Sequence, residues 1–437
     1  MKIVNIVPGF GGSFYCGNCL RDSGYTKSLI KLGHDAIMLP IYLPLTIEQT
    51  DIEDDTPLFY GAVNVYLKQN FKIFRDMPLW LEKFFNSNAI LRYAAKKAGS
   101  TRADGLEEMT ISMLNGDEGY QSKELQELID FLKNHEKPDV VHLSNALLMG
   151  LAKKIRQELN IPVVCSLQDE DVWVDAMKPD FQEKLWKLLH EKSKDIDAFI
   201  AVSDYFAQYM QKNMKPEASK MHTISIGIDT SLYKVSSFKE TPEAVGFLSR
   251  MYEPHGFGIF IDAFILLKQN PDFKHIKAIV TGGMTGDDKK YVKKQIKKLE
   301  KNKLLSDVEF IENFKTENLI HFFEKISLLS VPVLKGEAFG TYQIESLASG
   351  VPLVQPNLGA FPEIIEKTGG GVVFEPNTPE ELSKTWAKVL SNPLKLREMR
   401  ENGIKAVNEK FTSMVLSKEV LDVYEKVVSK MRNSTKK

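Results

Sequence analysis

Two glutamates eight positions apart, Glu337 and Glu345, bracket the stretch EAFGTYQIE. The stretch lies between an apolar run predicted as a strand ending at Leu334 and a helix predicted to begin near Thr341 and stop at Gly350. The first turn of a helix has unpaired backbone N–H groups and the positive end of the dipole, a ready site for phosphate. Gly340 lets the backbone come close to such a group without a side chain in the way. Glu345 follows Thr341 by one turn and shares nearly the same face. There a carboxylate can accept hydrogen bonds from a vicinal diol such as a ribose beyond the phosphates. Glu337 stands in the loop on the other side of the phosphate position, where a sugar would lie.

A second stretch, GFGGSFYCGNCLRD (9–22), combines a glycine-rich turn with a Cys-x-x-Cys pair. A thiol at a helix start has a lowered pKa, and its thiolate would repel a phosphate held in the same turn. Three roles stay open for Cys16, Cys19 and Cys165: locally hydrogen-bonded structural thiols, which is the preferred reading, a reversible disulfide, or a metal site completed by a ligand such as His142. The glycines fall at 9, 11, 12 and 17 and miss the G-x-G-x-x-G spacing, and no acidic residue ends the second predicted strand, HDAIMLPIY. A nicotinamide enzyme is therefore disfavoured. Asp195-Ile-Asp197 and Asp169-Glu-Asp171 have the spacing of a metal–diphosphate turn. The first precedes its strand, at the end away from the expected ligand. A helix dipole and an arginine can hold a diphosphate unaided, so neither cofactor nor metal is expected.

These groups need a scaffold. At 437 residues the chain exceeds what one core usually supports. Fifty-seven Lys and Arg against 58 Asp and Glu leave a net charge of −1, which argues against a nucleic-acid partner. Short apolar runs alternate with helical patterns (MKIVNIV, HDAIMLPIY, PDVVHLS, PVVCSLQ, AFIAVS, HTISIG), and the rhythm restarts with EAVGFLSR, KAIVTGG, VEFIE, SLLSVPV and VPLVQP. This is the pattern of βαβ units on parallel sheets. We read an α/β protein of two doubly wound, Rossmann-like domains facing each other across a cleft. Residues 1–237 form the first and 238–410 the second, with 411–437 a terminal helix packing back on the first. The polar stretch YKVSSFKETPE (233–243) serves as linker.

A helical insertion is expected over 46–135. Within it, 61–100 interleaves aromatics with an excess of Lys and Arg. That pattern fits ordinary helices with a solvated basic face better than a peripheral membrane contact, which stays open as the alternative. The start reads as strand and turn rather than a signal peptide, and no apolar run approaches about 20 residues. A cytoplasmic protein is expected, with any membrane association peripheral.

The stretch Glu337–Glu345 matches the E-x7-E motif of retaining GT-B glycosyltransferases, and the chain resembles glycosyltransferase family 4 in particular. The glycine turn, LGHDA, PDVVH, FIAVS, SIGID and ASGVPLV recur in order along the chain. The resemblance implies retaining transfer of a hexosyl group from a nucleoside-diphosphate sugar to a glycan, lipid or small-molecule hydroxyl. It implies ribose on Glu345, sugar on Glu337, and diphosphate on Gly340, Thr341 and Arg250, with Gly11 and Gly12 contributing from the other domain. His255 stands where the family usually has lysine. Ser144 and Asn145 stand where it often shows His-x-His, and Gln168 where a histidine is frequent; with Asp169 these mark the sugar or acceptor side. Rival readings are a nucleotide-sugar epimerase of the same architecture and a sugar-nucleotide-binding protein without turnover.

Overall fold

A computed structural model describes residues 1–9, 17–42, 105–238, 240–312 and 316–435. The chain divides into two compact units. The first contains the amino-terminal strand, Asn18–Ser225 and Leu416–Lys437; the second contains Ile226–Val415. Residues 226–237, placed with the first domain by the sequence reading, pack with the second unit: Ser236 N–H donates to the carbonyl of Ser349 at 3.1 Å. Of the expected insertion, the described part holds helices Glu107–Leu114 and Ser122–Phe131. Residues 46–104, with the basic aromatic stretch 61–100, lie outside the described residues.

The first unit is a six-stranded parallel sheet: β1 (Lys2–Val7), β2 (Asp35–Pro40), β3 (Val140–Leu143), β4 (Val163–Leu167), β5 (Ala198–Ala201) and β6 (Met221–Thr223), in the order β2-β1-β3-β4-β5-β6. Every residue of β3, β4 and β5 is buried, as parallel strands covered on both faces require. One cover is the last helix, Ser413–Thr435. Its Leu416, Val420, Val423, Tyr424, Val427 and Val428 recur at helical spacing and join Ile3, Val140, Val164, Ala198 and Ile200 in one core.

The second unit repeats the plan with β7 (Ala244–Leu248), β8 (Lys277–Thr281), β9 (Val308–Phe310), β10 (Leu328–Leu329), β11 (Leu353–Pro356) and β12 (Gly371–Phe374), ordered β12-β11-β10-β7-β8-β9. Strand order reverses between β7 and β10 here, and between β1 and β3 in the first unit. Open α/β sheets bind ligands outside the carboxyl ends of their strands at such points. The run predicted as a strand to Leu334 leaves the ladder after Leu329. Pro332 has no N–H to donate, and Val331 N–H turns to the side chain of Gln355 at 2.8 Å. Leu334 N–H then donates to the carbonyl of Pro254 at 2.8 Å. The loops after β7 and β10 are thereby tied together.

Candidate functional site

The loop leaving β10 carries the motif. Gly340 has φ +79°, in the left-handed region, and its carbonyl accepts from Gln343 N–H at 2.9 Å to open the helix Tyr342–Ala348. A Cβ at Gly340 would lie 3.1 Å from Tyr342 Cζ and 3.2 Å from Phe361 Cε1. Thr341 is buried at the helix start, and Glu345 N–H donates to its carbonyl at 3.3 Å. Glu345 is fully buried, at 0 % exposure. Tyr233, far away in sequence, donates its hydroxyl to Glu345 Oε1 at 2.5 Å. Burial first, and then the Glu345 charge, hold the Tyr233 phenol well above its ordinary pKa. The group is therefore a donor throughout the working range. Glu337 is half-buried and accepts from Tyr342 Oη at Oε2, 2.5 Å. The turn at Gly359 (φ +59°) backs this loop so closely that a Cβ there would sit 2.4 Å from Glu337 N.

Arg250 follows β7. Its Nε and Nη2 donate to the two oxygens of Asp288 at 2.8 and 3.0 Å, and Nη2 also donates to Thr285 Oγ1 at 3.0 Å. Its guanidinium lies 4.4 Å from the centroid of the Tyr252 ring. Asp288 simultaneously closes a capping box with Thr285, accepting from Thr285 N–H at 2.8 Å and from its hydroxyl at 2.7 Å. Burial works against the Asp288 charge, but the bonds from Arg250 and Thr285 outweigh it and keep its pKa below the ordinary value. His255 Nδ1 lies 2.5 Å from Ser249 Oγ. Withdrawal from water first, and the Arg250 charge second, push the His255 pKa down to about 3. It is therefore a neutral imidazole near pH 7.

In the first unit two of the sequence candidates, Gln168 and Ser144, bond a cation that sequence reasoning missed. Arg21, 2 % exposed, donates from Nη1 to Gln168 Oε1 at 2.6 Å and from Nη2 to the Ser144 carbonyl at 2.8 Å, and pairs with Asp22 at 2.7 Å. Asn145 caps the short helix Ala146–Leu151, accepting from Leu147 N–H at 3.0 Å. Asp169 adopts φ +61° ahead of the helix Glu170–Asp175. The Asp22 pKa is raised by burial, against the pull of Arg21. Glu170, 1 % exposed, accepts from Ala146 N–H at 2.8 Å and titrates at about 8, chiefly through burial.

His142 is a buried strand histidine, 2.8 Å from Ser166 Oγ and 2.5 Å from Tyr424 Oη. Cys165 is a buried free thiol, raised by burial, whose sulfur donates to the Ser166 carbonyl. Asp197 accepts from Val163 N–H at 2.9 Å and pairs with Arg156 at 2.5 Å, a structural assignment. Among the described residues no three or more His, Cys, Asp or Glu are grouped to hold a metal ion. No helix among them is long and apolar enough to cross a membrane. Gly11, Gly12 and Cys16 lie outside the described residues.

Comparison with known proteins finds glycosyltransferases. The family model described as glycosyl transferases group 1 matches residues 230–406, and that of glycosyltransferase family 4 matches 112–232. An uncharacterized glycosyltransferase of Methanocaldococcus jannaschii is 25 % identical over 291 residues, 66 % of this chain and 76 % of that protein. The MMP alpha-(1->4)-mannosyltransferase of Mycolicibacterium hassiacum is 22 % identical over 308 residues, 67 % and 72 % of the two chains. The crystal structure of Anabaena HepE in complex with UDP superposes with a TM-score of 0.66 at 16 % identity, covering 98 % of this chain and 100 % of that one.

Proposed function

From the premise that this chain is a glycosyltransferase of the GT-B fold, similar to family 4, we propose that it transfers a hexosyl group from a nucleoside-diphosphate sugar to a hydroxyl acceptor with net retention. One observation carries the reading. A fully buried carboxylate, Glu345, stands one turn after the left-handed Gly340 turn, beyond a strand at the order reversal of the second sheet. A carboxylate held there accepts from the ribose diol, Glu337 meets the donor sugar, and the N–H groups of Gly340 and Thr341 with Arg250 receive the diphosphate. The mannosyltransferase relative and the UDP complex of the structural neighbour support a nucleotide-sugar donor.

The acceptor oxygen forms its bond to the anomeric carbon as the bond to the diphosphate breaks, on the same face, and its proton passes to the departing phosphate oxygen. Charge gathers on the diphosphate, so the Arg250 guanidinium, oriented by Asp288, supplies the largest stabilisation. His255 adds a neutral donor. Ser144 and Gln168, which bond Arg21, serve with Asn145 and Asp169 the acceptor or sugar side, and Gly11 and Gly12 the diphosphate. No metal is required by this scheme.

The test is to incubate the full chain with UDP-glucose, GDP-mannose and ADP-glucose, alone and with a panel of glycan, lipid and polyol acceptors. Acceptor-dependent release of nucleoside diphosphate and an α-linked product from the α-linked donor, read by NMR, are expected. A β-linked product overturns retention. An altered sugar nucleotide formed without acceptor makes the chain an epimerase.

A further inference from the structure

We propose that a matched pair of tyrosine hydroxyls, Tyr233 on Glu345 and Tyr342 on Glu337, are positioning residues that set the two motif carboxylates separately, one for the nucleoside half of the donor and one for the sugar half. This rests on the reading of Glu345 as the ribose contact and Glu337 as the sugar contact. Each glutamate of the motif accepts a phenolic hydrogen bond at 2.5 Å, from tyrosines that come from different parts of the second unit. A glutamate side chain has three torsions to lose on binding. A phenol bond held in advance removes that cost before the ligand arrives. A hydrogen bond to an ionised acceptor is also the strong kind. It favours the ionised carboxylate, the form that accepts from sugar hydroxyls.

Tyr233 is not a loosely tethered ring. Ser236, three residues on, donates through N–H and Oγ to the carbonyl of Ser349, each at 3.1 Å. Arg400 Nη1 donates to the carbonyl of Gly350 at 2.7 Å and to Ser236 Oγ at 3.2 Å, and its Nη2 to the Ser236 carbonyl. Ser349 and Gly350 directly follow the helix that carries Glu345. The segment bearing the phenol is thus fastened to the end of the helix bearing the carboxylate. Tyr342 is placed differently. It lies inside the motif, fully buried, with its ring edge-on to Phe361 at 6.4 Å. The two phenols bond different carboxylates, so removing one hydroxyl leaves the other hydrogen bond in place.

Calorimetric titration of the full chain and its Tyr233→Phe, Tyr342→Phe and Glu345→Gln variants separates the halves. The probes are UDP, GDP and ADP and their conjugates UDP-glucose, GDP-mannose and ADP-glucose. Tyr233→Phe is expected to weaken the nucleoside diphosphate and its sugar conjugate alike, about ten-fold, the size of one charged hydrogen bond. Tyr342→Phe is expected to weaken only the conjugate, leaving the nucleoside diphosphate within about two-fold. A phenol that only stabilised the fold would not produce this split.

Wild-type affinity for both ligands in Tyr233→Phe, beside loss of both in Glu345→Gln, overturns the tyrosine inference and leaves the ribose assignment standing. Wild-type affinity in Glu345→Gln, or no binding of any probe by the native chain, overturns the assignment and the inference with it. Equal losses for both ligands in Tyr342→Phe overturn the division into halves. If Tyr233→Phe fails to fold, Ser236→Ala loosens the same tether and is read the same way: equal weakening of both ligands supports the inference, and unchanged affinity overturns it.

Discussion

At the scale of single residues, two glycines decide where the motif carboxylates stand. Gly340 occupies φ +79°, where an L side chain costs about 1–2 kcal/mol. Its Cβ would also press on the Tyr342 ring that holds Glu337. Gly340→Ala should lower stability by about that amount and cut transfer by more, because the phosphate turn and both carboxylates depend on the same loop. Gly359→Ala is the more severe change. Its Cβ would meet backbone, 2.4 Å from Glu337 N and 2.6 Å from its carbonyl oxygen, where no side chain can swing aside. Transfer should fall at least ten-fold, with the loss concentrated in kcat. Steady-state kinetics beside thermal denaturation checks both, and a Gly359→Ala enzyme with native kcat would contradict the placement. The motif itself was legible in the sequence because Glu337, Gly340, Thr341 and Glu345 fall within the single stretch EAFGTYQIE and one helical turn relates the last two. Gly359 and Tyr233 were not legible, since each acts on the motif from a separate loop and no local pattern marks the contact.

At the scale of elements, the diphosphate arginine depends on a helix cap. Thr285-x-x-Asp288 is a pattern readable in the sequence, but its second duty, fixing Arg250 at 2.8 and 3.0 Å, is a tertiary fact. Asp288→Asn keeps the size and loses the ion pair. It should raise KM for the donor several-fold and make donor binding more sensitive to salt, because a loosened guanidinium is solvated before it binds. An unchanged KM would remove Asp288 from the account.

The strand ends of the first unit make a different prediction, in pH. His142 falls from 6.5 to about 3 in the fold, through burial and then Arg21, so its share of stability is complete above pH 6.5 and is lost as pH falls toward 3. Glu170 rises from 4.5 to about 8, so its share is present below pH 4.5 and is lost as pH rises through 8. The two oppose each other between 4.5 and 6.5. Above that range the loss from Glu170 is unopposed by His142. Glu170→Gln should gain stability over the native chain at up to about 1.4 kcal/mol per pH unit as pH rises from 5 to 8. Urea unfolding at pH 5, 6.5 and 8 measures it, and a constant difference across that range would contradict a buried, protonated Glu170. Sequence reasoning found the neighbouring Gln168 and Asp169 but not Arg21. One arginine in a polar helix start gives no sign that it is 2 % exposed.

At the scale of the whole molecule, the alternation of apolar runs and helical patterns made two parallel sheets legible. Their limits were less so: hydropathy carried β10 to Leu334, whereas Pro332 and Gln355 end the ladder at Leu329. The polar stretch after Tyr233 looked like a linker because it lacks periodicity, yet the hydrogen bonds of Ser236 with Ser349 and Arg400 make it part of the second unit. The terminal helix belongs to the first unit's core, with six buried apolar or aromatic side chains against its sheet. Each contributes about 1.5–3 kcal/mol, so together they rival the 5–15 kcal/mol by which a domain is stable. Deleting 413–437 should therefore leave the first unit susceptible to protease while the second keeps its resistance. Equal resistance of both units would show the helix to be dispensable.

The central claim is that the second unit holds a nucleoside diphosphate with its ribose on Glu345. A crystal structure of the full chain with the tightest-binding of UDP, GDP and ADP tests it most directly. The account predicts the ribose hydroxyls on the Glu345 carboxylate, with the Tyr233 bond retained, and the diphosphate against Gly340, Thr341 and Arg250. A nucleotide seated elsewhere, or a Glu345 carboxylate that makes no contact with it, would contradict the account.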